Sequence, residues 1–415
     1  MVTMERSENN LKKSSNNTML IVSLLLLNIV EQASNVITAT IPGMVKTFNN
    51  VTLTNVEMLT TIVSIFITSF ALLSGIIVRK IGQKPTAVLG ISIAAISSLI
   101  PAFSNSYYVV LVSRAFLGIG IGLANPMAIS LIGTFFQGDK RAKLMGWRTA
   151  VAGIGTSLMT YIAGQLLKIN WHASYLVYLL FIPTIILFVL FVPNPEKSTN
   201  NQEKAFHQQT NSVPFKEKTK QNYMGALFWL ILIMLVSRVC LMILSIKLPT
   251  FLVKSGIGTA SQAATAWSFN LVGLLGGMFF GYLYNHLKKY LLPLGLFLVG
   301  IGIFLIAYTK EIVIIYALNL LIGVFASIIT PYIYNYITAV SLTKNAPFYT
   351  SLALASSNLG AFMTPYIANI VGKTEKLAIL NSGIILLVLA VCTLLSIFIK
   401  SKTRNTSADK TRRPS

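Results

Sequence analysis

Twelve apolar runs of about twenty residues, each long enough to cross a hydrocarbon core about 30 Å thick as a helix, constrain this chain more than any other feature. They fall at roughly 18–42, 54–78, 86–104, 107–129, 142–167, 172–192, 223–248, 262–284, 290–308, 311–336, 348–371 and 378–400. Lipid offers no partner to a backbone N–H or C=O, so runs of this length and number predict helices throughout. Charged residues make up 11% of the 415, against about 25% in soluble domains. The mean hydropathy is +0.71. The expected fold class is all-α, a polytopic membrane protein with twelve transmembrane helices.

The helices fall into two sets of six. Pro42 recurs as Pro249 and Gly75 as Gly281, at offsets of 207 and 206 residues. Gly118 and Pro126 recur as Gly323 and Pro331, and Gly155 with Tyr161-Ile162-Ala163 as Gly360 with Tyr366-Ile367-Ala368, all at 205. Landmarks in the same order at nearly one offset argue for duplication of a six-span unit. Two pseudo-symmetric bundles are an architecture transporters use, with the substrate site between the halves. The expected boundaries are a cytoplasmic N-terminus at 1–17, a first bundle at 18–192, a cytoplasmic linker at 193–222, a second bundle at 223–400 and a basic cytoplasmic tail at 401–415. The linker, rich in Asn, Gln and Lys, reads as flexible or partly helical.

A net charge of +22 would suit a nucleic-acid binder, but the placement of the charges argues otherwise. With the N-terminus in the cytoplasm, 23 of the 33 Lys and Arg fall on cytoplasmic segments and 6 on outside ones. The remaining four, Arg114, Arg148, Arg238 and Lys247, lie within spans. This is the positive-inside bias. It places both termini in the cytoplasm, makes the lipid bilayer of the plasma membrane the partner, and removes the need for nucleic acid.

Lys12 and Lys13 before an apolar stretch resemble the start of a signal peptide, but the run exceeds a signal's apolar region, so the first span is read as retained. Cys240 and Cys392 lie in apolar helices without CxxC spacing and read as core residues. No P-loop, HExxH or GxSxG occurs, and His172, His207 and His286 have no ligand-spaced companions. Neither an enzyme, a metal site nor an ATP-driven pump is therefore expected. No cofactor is called for, and a proton gradient is the expected energy source.

Glu31 is the one carboxylate placed well inside a span. A charge there costs about 2.5–3.5 kcal/mol on insertion scales, which makes it a functional candidate. Arg238 stands eleven residues before Pro249, as Glu31 stands eleven before Pro42. An acid and a base facing each other across a polar cavity are expected. A pair that opens and closes is favoured over a static one, because desolvation offsets much of a buried pair's attraction. Glu57, at a span's start, is read as peripheral, and Lys247, near a span's end, as snorkelling to the surface. Arg148 either snorkels or lines the cavity. Up to three Arg against one Glu leave the cavity positive, which points to a small organic, anionic solute gripped by bidentate contacts. Asn28, Gln32 and Asn35 share a face beside Glu31. Trp267 and Asn270 in the eighth span, Tyr334 and Asn335 after Pro331, and Asn358 in the eleventh complete the candidates.

The loop after the second span carries Gly75, Arg79, Lys80, Gly82 and Lys84, with a weaker twin in Gly281, Asn285, Lys288 and Lys289 after the eighth. The fourth span carries Arg114 followed by Gly118, Gly120 and Gly122. With the twelve spans and the duplication, these motifs resemble the major facilitator superfamily over nearly the whole chain. The resemblance implies that family's fold, rocking of one bundle against the other, and a place for Arg114 on the proton or substrate pathway. It also implies a gate at the loop motif, where Gly lets helices approach and basic residues bridge helix ends. An Asp usually centres that gate; here Arg79 and, in the repeat, Asn285 stand in its slot. The fifth span keeps Gly153, Gly155, Ala163 and Gly164 of the drug:proton exporter pattern, but Met159 and Thr160 replace its Gly-Pro pair. The expected activity is secondary active, proton-coupled transport by a monomer. A drug or metabolite exporter of the same fold and a non-transporting membrane sensor are the alternatives.

Overall fold

A backbone cut off from water can satisfy its polar groups only within its own segment, and a computed structural model of the chain is helical accordingly. It describes residues 18–30, 33–195, 224–269, 280, 282–340 and 346–410. Glu31, Gln32, Asn270, Gly281 and most of the expected linker lie outside the described residues.

The first span is broken where a single helix was expected. Helix α1 runs Thr18–Val30, two 3-10 turns occupy Ala33–Asn35 and Thr38–Thr40, and α2 covers Ile41–Thr47. The two arms meet at 41°. Ser34, Asn35, Thr38 and Thr40 crowd this stretch, and short polar side chains compete with the helical ladder for backbone partners. Four longer helices follow: α3 Leu53–Ile81, α4 Gln83–Leu99, α5 Tyr107–Phe135 and α6 Gly138–Leu166. A turn at Trp171–Ser174 and a 3-10 stretch at Tyr175–Leu180 lead into α7, Phe181–Phe191.

The second half comprises α8 Met224–Lys254, α9 Ala260–Ser268, α10 Leu291–Ile306, α11 Ile312–Val340, α12 Ala346–Val371 and α13 Glu375–Lys410. Among the described residues, eight helices are long and apolar enough to cross a membrane, or nine with the bent first pair. Helices α6 and α12, at 29 and 26 residues, are long enough but fall outside that set. Part of the expected eighth span lies outside the described residues. The duplication is visible in the element bounds. Helices α5 and α11 start at 107 and 312 and end at 135 and 340, an offset of 205 at both ends. Pro126 and Pro331 lie inside them at the same offset.

By packing, the chain divides into two units: Met1–Ile37, Lys46–Val51 and Leu59–Asn222 form the first, and Thr38–Val45, Thr52–Met58 and Tyr223–Ser415 the second. In the first unit, glycines set the helix spacing. A Cβ on Gly90 of α4 would lie 2.7 Å from the carbonyl oxygen of Gly120 in α5, and one on Gly120 would lie 2.5 Å from that of Gly90. Gly118 and Gly122, one turn apart, meet α3 in the same way at the carbonyls of Val63 and Ile67. With no hydrophobic drive between helices in lipid, such close backbone approach is what holds them together. Phe48, Tyr107 and Trp171 close one end of this unit with edge-on ring contacts of 5.7–6.0 Å, and Trp171 Nε1 donates to Thr47 Oγ1 at 2.8 Å. The second unit has a conventional aliphatic core, in which Leu244, Leu296, Ile303, Ile322, Ile333 and Leu386 are buried together.

Gly75 does not serve the close approach expected of it, since nothing lies within 4 Å of its Cβ position. Gly82 is the demanding glycine of that loop, turning between α3 and α4 at φ 90°, a conformation L side chains rarely adopt. Gly120→Val should therefore lower the unfolding temperature of the detergent-solubilised protein, at an overpacking cost of about 1–3 kcal/mol. Gly75→Ala should leave it unchanged or raise it slightly.

Candidate functional site

The break in the first span leaves carbonyls without helical partners, and two side chains of the first unit reach them. Arg114, two turns into α5 and 0% exposed, donates from Nη2 to the carbonyl of Ser34 at 2.7 Å and from Nε to that of Leu59 at 3.1 Å. Its Nη1 reaches Tyr178 Oη at 3.4 Å, and that hydroxyl donates to the carbonyl of Ala33 at 2.7 Å. A buried guanidinium is tolerated when each nitrogen finds an oxygen. Here one of those oxygens, the Ser34 carbonyl, belongs to the irregular stretch itself, and the Tyr178 hydroxyl carries the contact on to the Ala33 carbonyl. Arg114 thus brackets the break, and Tyr178, which the sequence reading missed, completes the bracket.

A second polar cluster sits one turn along α1. Asn28, fully buried, donates from Nδ2 to the carbonyls of Leu24 and Leu25 at 3.0 and 3.1 Å. This sets the amide so that Oδ1 faces Arg148 Nε of α6 at 2.5 Å. Arg148 Nη2 meets Asn125 Oδ1 of α5 at 2.7 Å. The half-buried Arg148 is therefore oriented in part by two amide oxygens, one from α1 and one from α5. Asn125 was also missed; its sequence signal is the Asn125-Pro126 step inside an apolar helix.

In the second unit Arg238 is half-buried on α8, and its Nε is buried without a hydrogen-bond partner among the described residues. Trp267 and Tyr334 pack partly buried on the aliphatic core, and Asn335 and Asn358 are half-buried on α11 and α12. Asn35 is half-buried in its 3-10 turn. Glu31, Gln32 and Asn270 lie outside the described residues. Asn319 stands 205 residues after Arg114; it is fully buried, its Nδ2 donating to the carbonyl of Ile315 at 2.9 Å. At 205 residues after Arg148 stands Ala353, fully buried. Arg114 and Arg148 thus lack charged counterparts in the second unit.

Two peripheral readings need correction. Lys247 does not snorkel and Glu57 is not at the surface: their side chains, 4% and 0% exposed, form an ion pair at 2.8 Å within the second unit. Position near a helix end suggested exposure, but the contacts of Thr38–Val45 and Thr52–Met58 place this stretch in the second unit's packing. In the loop motif, Arg79 and Lys80 are exposed, and Lys84 Nζ donates to the carbonyl of Val189 at 2.9 Å, capping the end of α7. In the twin, Asn285, Lys288 and Lys289 are exposed and Gly281 lies outside the described residues. A cavity of about 570 Å³ lies away from all these groups, on a flank of α4 and α5 lined by Ile96, Ile100, Tyr108, Val112 and Phe116.

The profile described as Major Facilitator Superfamily matches residues 23–292 and 261–415. The quinolone resistance protein NorA of Staphylococcus aureus (strain COL) is 22% identical over 305 residues, 71% of this chain and 74% of that protein. The multidrug transporter protein MdtP of Bacillus subtilis (strain 168) is 26% identical over 182 residues, 43% of this chain and 33% of that protein, so the match spans about a third of that relative's length. A solved structure of a mutant of the peptide transporter POT in complex with alafosfalin superposes with a TM-score of 0.73 at 12% identity, covering 90% of this chain and 93% of that one. At that identity the likeness concerns the fold.

Removing one hydroxyl tests the bracket. Tyr178→Phe takes the 2.7 Å donor from the Ala33 carbonyl and should cost about 1–2 kcal/mol, read as a fall in unfolding temperature. Tyr161→Phe, on an exposed side chain, should leave the unfolding temperature unchanged.

Proposed function

Since the chain belongs to the Major Facilitator Superfamily, we propose that this multi-pass membrane transporter is a secondary one, moving a small organic solute bearing an anionic group by alternating access, with protons as the coupling ion. The single observation carrying the cargo class is the Asn28–Arg148–Asn125 arrangement. Two amide oxygens orient the guanidinium, a group suited to bidentate contact with a carboxylate, sulfonate or phosphate ester. Arg238, whose buried Nε has no hydrogen-bond partner among the described residues, supports the same sign of cargo. Glu31 is the proposed proton carrier, on the strength of its sequence position alone.

The direction we infer is export, favoured by the relatives named for quinolone resistance and multidrug transport. Quinolones carry a carboxylate, so an exporter and a cationic binding group are compatible. We further propose that the protein works as a monomer in the plasma membrane, and the 23-to-6 distribution of basic residues supports both termini in the cytoplasm. It needs no ATP or metal in this reading.

In proteoliposomes with an imposed pH gradient, the wild type should accumulate a fluoroquinolone against its concentration. Arg148→Gln should raise KM for that probe about tenfold, the worth of one charge-assisted contact, while changing transport of a permanently cationic dye little. Glu31→Gln should abolish gradient-driven accumulation but retain exchange of quinolone for quinolone. Full accumulation by Glu31→Gln would remove the coupling assignment, and an equal KM change for both probes would remove the cargo assignment.

A further inference from the structure

From Pro85 to Ser113 the chain carries no charged side chain. This stretch holds most of α4, a 3-10 turn at Ile100–Phe103 and the start of α5, all within two of the candidate membrane spans apart from the short link between them. The cavity of about 570 Å³ opens here as a slot on the flank that α4 and α5 share. Its volume falls in the range of small-molecule pockets, about 300–1,000 Å³. Ile96 and Ile100 make one wall and Val112 and Phe116 the other, all four exposed. Ser97 and Ser113 form the floor. Both are buried, and each hydroxyl donates to a carbonyl of its own helix, that of Ala94 at 3.3 Å and that of Val110 at 2.7 Å. The slot therefore asks no hydrogen bond of its occupant. It stays open because Ile and Val are stiff at χ1 and cannot fold over it, and because small serines leave the floor unfilled.

Inside a bilayer such a surface meets lipid or another protein, and its shape decides between them. Transmembrane helices associate through small residues that let backbones approach. Here the small residues lie at the bottom and the bulky ones at the rim. That keeps out a helix about 10–12 Å across and admits a single hydrocarbon chain. The length agrees: from Tyr108 at the mouth to Phe116 is about 12 Å of helix, against about 15 Å for half of the hydrocarbon core. Tyr108 is exposed and meets Tyr107 edge-on at 5.4 Å, beside the Phe48–Trp171 contact. Tyr and Trp gather where the membrane meets water, so the slot runs from that boundary through most of one leaflet. Neither Arg114 nor Arg148 lines it, which makes it a poor seat for a charged cargo.

We propose that this slot binds one acyl chain of a phospholipid and holds it longer than the lipid bathing the rest of the surface. Selection is by the chain and not by the headgroup, because the stretch that forms the slot is uncharged. The test is photolabelling of the wild-type protein in liposomes that contain a phospholipid with a diazirine in its acyl chain, mapped by mass spectrometry. Label should concentrate on peptides covering 93–116, about fivefold over the exposed flanks of α7 and α13. Val112→Trp and Ile96→Trp fill the slot from opposite walls, and each should cut that labelling about fivefold. Ile186→Trp, on an exposed flank of α7, should leave it unchanged. Phosphatidylglycerol and phosphatidylethanolamine probes should label alike.

Label spread over the lipid-facing helices in proportion to their exposure would overturn the proposal, and that measurement needs no variant to fold. A strong preference for one headgroup would also overturn it. So would displacement of the label by a fluoroquinolone, which would make the slot a cargo site. A dimer in native mass spectra that Val112→Trp dissolves would make it an interface between copies, again against the proposal.

Discussion

Every backbone polar group within a bilayer has to find its partner inside the protein, and the first span is where this chain comes closest to breaking that rule. Between Val30 and Ile41 the helix gives way to two 3-10 turns, and the carbonyls released there require donors. Arg114 and Tyr178 provide them. An arginine at this depth is costly in lipid but useful beside bare carbonyls, since it brings several donors in a rigid fork. The glycines that follow it on α5 let α3 and α4 come close enough to seal the surroundings. The bend is thereby a defined element of the fold, and Asn28 in the helix before it meets Arg148.

The two halves share a scaffold and have diverged in chemistry. Helix bounds repeat at 205 residues, as do the prolines inside α5 and α11. The charges do not repeat: Asn319 stands for Arg114 and Ala353 for Arg148. Arg238 is charged in the second half, with Glu31 at the matching place in the first. The repeated helices form the frame, and the residues that differ at a few positions give the two halves their different polarity.

Much of the frame was legible because apolar length and glycine spacing are local properties. The starts and ends of α3 and α12 lie within a few residues of the runs read from hydropathy, and α5 starts with its run but extends more than a turn beyond it. Arg114 was legible as important, though its motif suggested a pathway role and its contacts make it a bracket. What stayed hidden depends on neighbours distant in sequence. Lys247, near a helix end, reads as a snorkelling lysine until Glu57 is found 2.8 Å away. Asn125 reads as part of a proline kink until Arg148 is placed beside it. Tyr178 lies in an aromatic stretch where nothing marks its hydroxyl as the partner of a carbonyl 145 residues earlier.

The dependence of the broken span on its bracket is open to direct measurement by hydrogen exchange and mass spectrometry on the protein in lipid nanodiscs. Replacing Arg114 with Met should quicken exchange of the amides in 33–40 about tenfold, the loss expected from one buried charge-assisted contact, and leave α4 and α10 at their native rates. Unchanged exchange across 33–40, or an equal rise in every helix, would contradict the account.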